Sequence, residues 1–499
     1  MSDLPPGWSR ATIGDLLLRI EAGKSFRCEP RPATPSEWGI VKVSAMTWGA
    51  FREEENKAVP AGADFNPGHE INSGDILVSR ANTEAYVGAP VLVGRCRNHL
   101  LLSDKSLRLV PSDNLNSRWL YYLLSSPAVR TEISRRATGT KDSMRNISQE
   151  ALASIRVQVP PLAEQDRIVT ILEEDLSRVN AGSTYLDQAC QYESQLRIAI
   201  YTAAVEGRLI SSPQETVSIA NRFDAERKSR WRKERGDRAY KSPVEPDLDI
   251  KPFVPDYWHT SSLEAATDPV RLIQYGILMP RVKINGSVPY VEVKDLAGET
   301  LSGKNLHRTS HELDEQFSKS RLAKDDVVMA VRGSYERSAV VPGDLEGANV
   351  SRDVVRIAPL TDLDPSYLHI YLQSAFTRRY FAHHARGVAV KGVNTASVRS
   401  LPIVIPSLEV QHEIVRKVRR CIPAVNRISI DVSHARKRAS NLRKSLLAEA
   451  FAGRLTRQDP TDEPAAVMLE RIRAEQAAQL RTRRGRRAAK QAFQGETSL

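Results

Sequence analysis

VPPLAEQDRIV at residues 159–169 returns as IPSLEVQHEIV at residues 405–415. A second pair follows, TAAVEGRLI from Thr202 and AEAFAGRLT from Ala448. Gln165 and Gln411 are 246 residues apart, as are Gly207 and Gly453, so these stretches align without a gap. The echo extends upstream at a spacing of 248, pairing Arg108 with Arg356, Trp119 with Tyr367, Arg130 with Arg378 and Gly139 with Gly387. Downstream, Ala225-Glu226 resembles Ala474-Glu475. A chain written twice carries each of its sites twice, and the fold is read as two copies of one unit.

Each copy has a globular part and a helical part. Residues 1–158 and 246–404 hold short β-type runs such as GIVKVSAM (39–46), DILVSR (75–80), VPYVEVKDL (288–296) and DVVMAVR (326–332), punctuated by Gly, Pro and Asn. Helices near residues 119–137 and 367–385 make these α+β domains. Residues 159–210 and 405–457 then read as long helices. In the second, Ile414, Val418, Cys421, Val425, Ile428, Val432, Ala435, Ala439, Leu442 and Leu446 alternate at spacings of four and three, the seam of a coiled coil. Ile168, Leu172, Val179, Leu186, Ala189, Leu196 and Ile200 keep that register in the first, interrupted by Asp175, Gly182 and Glu193. A helix lying on its own domain is the alternative, but this length favours pairing of the two. Pro423 predicts a kink or a late start in the second helix.

The composition is that of a globular chain: 41% apolar and 26% charged residues, without the bias of a disordered or membrane protein. The opening MSDLPPGWSR lacks the apolar run of a signal peptide, which predicts a cytoplasmic protein with no membrane partner. Cys28, Cys96, Cys190 and Cys421 are scattered, predicting thiols rather than a metal site. The net charge of +12 is concentrated. Residues 222–241 hold nine Lys/Arg against four Asp/Glu, and residues 470–490 hold eight against two, which accounts for +11. The basic segments 211–245 and 458–499 therefore read either as solvated helix and tail or as contacts to DNA or an acidic surface.

Catalytic signatures are missing. Gly23-Lys24-Ser25 has Leu18 where a phosphate-binding loop needs its first glycine, and Pro5-Pro6 and Pro160-Pro161 lack the aromatic residue of an adenine methyltransferase motif. Glu292-Val293-Lys294 has the E-x-K form of a magnesium nuclease, with Asp295 or Asp326 as a possible acidic partner, but the first copy reads Val41-Lys42-Val43-Ser44 there. His383-His384 pairs with Arg135-Arg136 and reads as a basic helix surface.

The P-P-L-x-E-Q-x-x-I-V helix start, the long helix ending in A-x-G-R-L, their repetition and the tail PTDEPAAVMLERIRAE (460–475) resemble the specificity subunits of Type I restriction-modification systems over essentially the full chain. Ser407 and Val410 depart from the pattern, as do Gly182 and Pro423. The resemblance implies two target-recognition domains of mixed α/β structure separated by two long antiparallel coiled-coil helices, an internal pseudo-two-fold repeat. It implies a non-catalytic chain that binds double-stranded DNA at a bipartite target. It also implies docking of two methyltransferase subunits and of restriction/translocase subunits, and these partners would use S-adenosylmethionine, ATP and magnesium. No cofactor or metal is expected on this chain.

Candidate DNA contacts are Lys24, Ser25, Arg27, Arg80, Asn82, Lys105, Thr138 and Lys141 in the first domain, with the polar loop TGTKDSMRNIS from Thr138. In the second they are Lys283, Arg332, Ser334, Arg337, Arg352, Arg386 and Lys391, with the loop RGVAVKGVNTAS from Arg386. Candidate coiled-coil and docking positions are Ile168, Leu172, Leu196, Ile200, Ile414, Val418, Leu442 and Leu446. Residues 162–206 as one helix would span about 65 Å, a spacer placing half-site readers roughly one to two DNA turns apart. The rival readings are a coiled-coil adaptor with no DNA role, and a nuclease or methyltransferase fused to its own reader.

Overall fold

The computed structural model describes residues 4–47, 49–141, 144–210, 219–255, 258–279, 287–387 and 391–496, with side chains left out at 140–141, 219–220 and 482–496. The chain divides into two units, residues 1–186 with 434–499, and residues 187–433. Each unit takes one part of each long helix. The first long helix is Leu162–Val205 and the second Leu408–Phe451.

The first unit is built on a four-stranded antiparallel sheet ordered Leu17–Ala22, Ser106–Pro111, Ile76–Ser79 and Pro90–Leu92. The second repeats it with Gln274–Tyr275, Val354–Ile357, Val327–Ala330 and Ser338–Val340. A smaller three-stranded sheet accompanies each. The helices that follow start on side-chain caps at matching places: Asn116, Ser126 and Ser148 in the first unit, Asp364, Ser374 and Asn394 in the second.

Buried glutamines set the entry to the long helices. Gln165 donates to the Pro160 carbonyl and accepts from the Asn116 N–H, each at 3.1 Å. Gln411 donates to the Pro406 carbonyl (2.9 Å) and accepts from the Asp364 N–H (2.8 Å). The repeated Gln is thus a staple between helix start and domain, and both side chains are fully buried. At the far ends Gly207 and Gly453 adopt φ of +72° and +68°, where a side chain is strained. Gly207 lies against Pro255 and Trp258, and Gly453 against Pro5 and Trp8. Each long helix therefore ends on the opening segment of the globular domain in its own unit.

Within each unit the long helices run antiparallel. Ile168, Leu172 and Leu176 share a core with Leu447 and Ala450 in the first unit, and Tyr201, Ala204 and Val205 share one with Ile414, Val415 and Val418 in the second. Four seam assignments need correction. Leu196 and Leu442 are 45% and 51% exposed, and Cys421 and Ile428 are exposed as well. The less exposed positions run through Glu193 and Arg197 in the first helix, and Ala439 and Arg443 in the second. Arginine can occupy such a place because its stem packs while its head reaches a partner. Ile200 and Leu446 pack, half-buried, on the cores. The second helix starts at Leu408 and continues through Pro423, so the expected late start does not occur; Pro423 lies on the exposed side.

The basic segments are largely helical, Ile219–Arg235 and Ala465–Glu496. Their apolar faces complete the two cores: Phe223 in the second unit, and Ala465, Met468, Leu469 and Ile472 in the first. Buried Arg227 donates to the carbonyls of Glu264 and Thr267. Its counterpart Gln476 donates to those of Gly14 (3.2 Å) and Leu17 (2.8 Å). Glu226 accepts from the Thr361 hydroxyl (2.7 Å), and Glu475 from that of Ser112 (2.6 Å). One face of each basic helix is therefore a clamp on its domain.

Candidate nucleic-acid interface

Antiparallel pairing brings three loops to one end of each four-stranded sheet. In the first unit Ala22 pairs with Leu107, and Ser79 with Ser106, so residues 23–25, 80–82 and 104–105 converge. Ser25 Oγ donates to the Asp104 carboxylate. The Arg80 N–H donates to the Lys105 carbonyl at 2.9 Å, and its guanidinium reaches the Asp104 carbonyl at 3.5 Å. Asn82 sits opposite Arg145, whose strand pairs in turn with the hairpin strand carrying Thr138. Gly139 has φ +138°, and an added Cβ would stand 2.5 Å from the Met144 carbonyl oxygen, so this tight hairpin requires glycine. Lys24, Lys105 and Thr138 are exposed around the cluster, as is Arg27, slightly farther along the chain. Lys141 closes the hairpin strand; its side chain lies outside the described set. Arg145, which donates to the carbonyls of Gly139 (3.2 Å) and Ala137 (3.1 Å), is a cation the sequence reading held only within its loop.

The second unit repeats the design with different side chains. Tyr275 pairs with Val355, and Ala330 with Val354, so residues 276–279, 331–334 and 351–353 converge. Asp353 lies 3.4 Å from Arg332 and 3.8 Å from Arg352. The Gly333 N–H donates to the Lys391 carbonyl at 2.9 Å, and Arg386 exchanges two backbone hydrogen bonds with Gly392. Arg332, Arg352, Arg386 and Lys391 are exposed, with Ser334 half-buried. Arg337, whose N–H donates to the Ser334 carbonyl at 3.0 Å, also lines a cavity of about 670 Å³ with Arg197, Tyr201 and His369. Lys283 lies outside the described residues. Missed altogether by the sequence reading were Tyr275, Leu278 and Met279, apolar and exposed at this loop end. The signal was available in Gly23 and Gly276, but a small insertion shifts that pair off the repeat spacing.

The nuclease-like triplet has another occupation. Glu292 and Asp295 form a reciprocal capping box on the short helix Val293–Asp295, while Lys294 and His307 lie 2.7 and 2.9 Å from Glu292. Among the described residues no group of three His, Cys, Asp or Glu is placed to hold a metal. His384 approaches Asp247 at 3.3 Å and packs on Tyr380. All four cysteines are free thiols. Among the described residues no helix is long and apolar enough to cross a membrane.

Comparison with known proteins agrees with this twofold arrangement. The family model of the Type I restriction modification DNA specificity domain matches residues 7–180 and 281–427. The chain is 28% identical to the Type I restriction enzyme EcoBI specificity subunit of Escherichia coli, over 77% of each chain. It is 22% identical to the StySPI specificity subunit of Salmonella potsdam, over 95% of this chain and 96% of that one. A chain from a structural study of complex assembly and conformational transition of the type I R-M system superposes with a TM-score of 0.57 at 17% identity, over 91% of this chain and all of that one. With two copies of the family domain covering more than half of its length, the chain belongs to the Type I restriction-modification DNA specificity family.

Proposed function

We propose that the chain reads a bipartite DNA target, one half-site per unit, and presents it to two methyltransferase subunits and to restriction/translocase subunits in the cytoplasm. The observation that carries this reading is the recurrence, at the same end of both sheets, of a loop cluster rich in exposed cations. Such a cluster suits phosphate positioning with nearby side chains left to select bases. The candidate residues above are the proposed contacts, with residues 1–158 and 246–404 as the target-recognition domains. The exposed Leu196, which with Tyr192 and Ile428 lines an apolar hollow, and its counterpart Leu442 support a docking role for the long helices. Adenine methylation with S-adenosylmethionine, and ATP- and magnesium-dependent translocation and cleavage, belong in this proposal to the partners.

The test combines the purified chain with its cognate methyltransferase and maps methylated adenines. Methylation restricted to one interrupted sequence is expected, and exchanging residues 1–158 for another member's domain should change one half of it. Change in both halves or in neither would count against independent readers. The same chain freed of partners should neither methylate nor cleave.

A further inference from the structure

The two loop ends differ in chemistry at one matched position. An added Cβ at Gly23 would stand 2.0 Å from the Leu102 carbonyl oxygen, and one at Gly276 would stand 1.9 Å from that of Val350. Only glycine allows so close an approach, so the residues that follow are delivered to a fixed place in both units. In the first unit they are Lys24 and Ser25, both polar and exposed, followed by the half-buried Phe26 at the place of Met279.

In the second unit the corresponding residues are apolar. Ile277 is buried and pinned between strands: its N–H donates to the Val350 carbonyl and its own carbonyl accepts from the Arg352 N–H, both at 2.8 Å. Leu278 and Met279 then project, 51% and 75% exposed, with Tyr275 at 49% beside them in sequence. Grouped large apolar side chains at a solvated loop end mark a contact surface. Their surroundings are cationic. Arg352 is hydrogen-bonded to Ile277, Arg352 and Arg332 share Asp353, and Lys391 joins Gly333.

An apolar tip at a loop end that also carries Arg332, Arg352 and Lys391 suits the major groove of DNA. There the phosphates meet the cations, and the thymine C5-methyl is the one apolar group on the base edges. Building on the DNA-reading role proposed above, we infer that Leu278 and Met279 contact thymine methyl groups in the half-site of the second unit. The first unit makes polar contacts at the matching place through Lys24 and Ser25.

The test uses the complete chain with its methyltransferase on duplexes of the mapped target. The half-site of the second unit is the one left unchanged when residues 1–158 are exchanged. Each thymine there is replaced singly by deoxyuridine, which lacks only the methyl group. Burial of one such carbon is worth about fourfold in binding, so at least one position should weaken binding roughly three- to tenfold. The double variant Leu278→Ala, Met279→Ala should bind the thymine duplex as weakly as the deoxyuridine one and no longer distinguish them, whereas Lys24→Ala should still distinguish them. Because both side chains are exposed, the double variant should keep its fold, checked by circular dichroism.

Deoxyuridine without effect at every position would overturn the inference. So would an equal penalty in the variant and the unsubstituted chain, or a second half-site whose sole thymine pairs with the methylated adenine. A variant that weakens every duplex alike, as a wedge between bases would, also overturns methyl readout. Absence of sequence-restricted binding by the unsubstituted complex would instead overturn the DNA-reading role itself, and the inference with it.

Discussion

Arg197 donates to the Asn426 side chain at 2.8 Å, joining the two long helices within the second unit. Its counterpart 246 residues on, Arg443, repeats the bond onto Asn180 at 3.3 Å in the first unit. Asn180 and Asn426 are themselves 246 apart, so one rung is built twice from the same two repeat positions. Polar pairs bridging two helices beside their apolar contacts favour one register because a slip leaves them unmatched. The rungs differ in one respect: Arg197 also pairs with Glu193, whereas the position matching Glu193 in the second helix is Ala439.

Asn426→Leu should cost about 0.5–1 kcal/mol in urea unfolding, since the pair is partly exposed. Arg197→Ala in that background should cost less than Arg197→Ala alone, giving a positive coupling in a double-mutant cycle. Fully additive losses would mean that the rung contributes nothing.

The repeat, the α+β domains and the two long helices were legible because each rests on a pattern sustained over many residues. The seam was not legible at its middle. Choosing by hydrophobicity selects Leu196 and Leu442, yet the less exposed face continues through Arg197 and Arg443, whose role depends on an asparagine far away in sequence. Of the two outcomes Pro423 allowed, a kink or a late start, the late start does not occur: the helix runs from Leu408 through Pro423, with Val418 and Val425 buried on either side of it. The basic segments announced their charge while hiding that Phe223 and Ile472 anchor them to the cores. The apolar tip at Leu278 and Met279 was not legible because polar and cationic residues are the ones whose sequence signal points to DNA, and exposure of an apolar pair shows only in the fold.

A charge difference between the repeats predicts a stabilising substitution. Arg108 is held by Glu21 (2.7 Å) and Asp75 (2.9 Å), with Glu21 directly opposite it in the sheet. The matching Arg356 faces Gln274, and Arg271 takes Asp326 instead. Burial first, and then the like charge of Arg271, push the Arg356 guanidinium down to about 10. Its Nε has no partner among the described residues. Gln274→Glu should supply the missing carboxylate and stabilise the second unit by on the order of 1–2 kcal/mol, read as a raised melting temperature. Glu21→Gln should destabilise the first unit by a similar amount. A Gln274→Glu variant no more stable than the unsubstituted chain would show that Arg356 is already satisfied.

His369 predicts a pH effect confined to the second unit. It is buried against Ser338 (3.1 Å) and Tyr201, and burial lowers its pKa to about 4; Glu299 opposes that shift and Arg419 adds to it. A histidine whose folded pKa is depressed binds its proton more readily when unfolded. Its stabilising contribution is therefore complete above about pH 6.5 and lost as the pH falls towards 4, amounting to roughly 3 kcal/mol. The repeat places Tyr121 at this position in the first unit. His369→Tyr should remove that part of the acid sensitivity, so the stability difference between variant and parent should change between pH 6.5 and 4. A difference constant over this range would refute the assignment.

The clamp helices give a prediction that separates the two units. Ile472 of the C-terminal helix is fully buried in the first core, and Phe223 of the preceding basic helix is buried in the second. Truncating a buried isoleucine to alanine typically costs 2–5 kcal/mol, and a phenylalanine 3–5 kcal/mol, because the surroundings close the cavity only partly. If each helix completes only its own domain, Ile472→Ala should raise hydrogen exchange in the strand Ser9–Thr12 and its partner Arg156–Val159. Phe223→Ala should instead affect His259–Ser262 and its partner Pro402–Ile405. Exposed cations on the same helix, such as Arg232 and Lys233, serve as the control: replacing them by glutamine should leave both strand pairs protected. If Ile472→Ala left exchange in the first unit unchanged, the basic tail would be an appendage and its apolar face would contribute nothing to the domain it lies on.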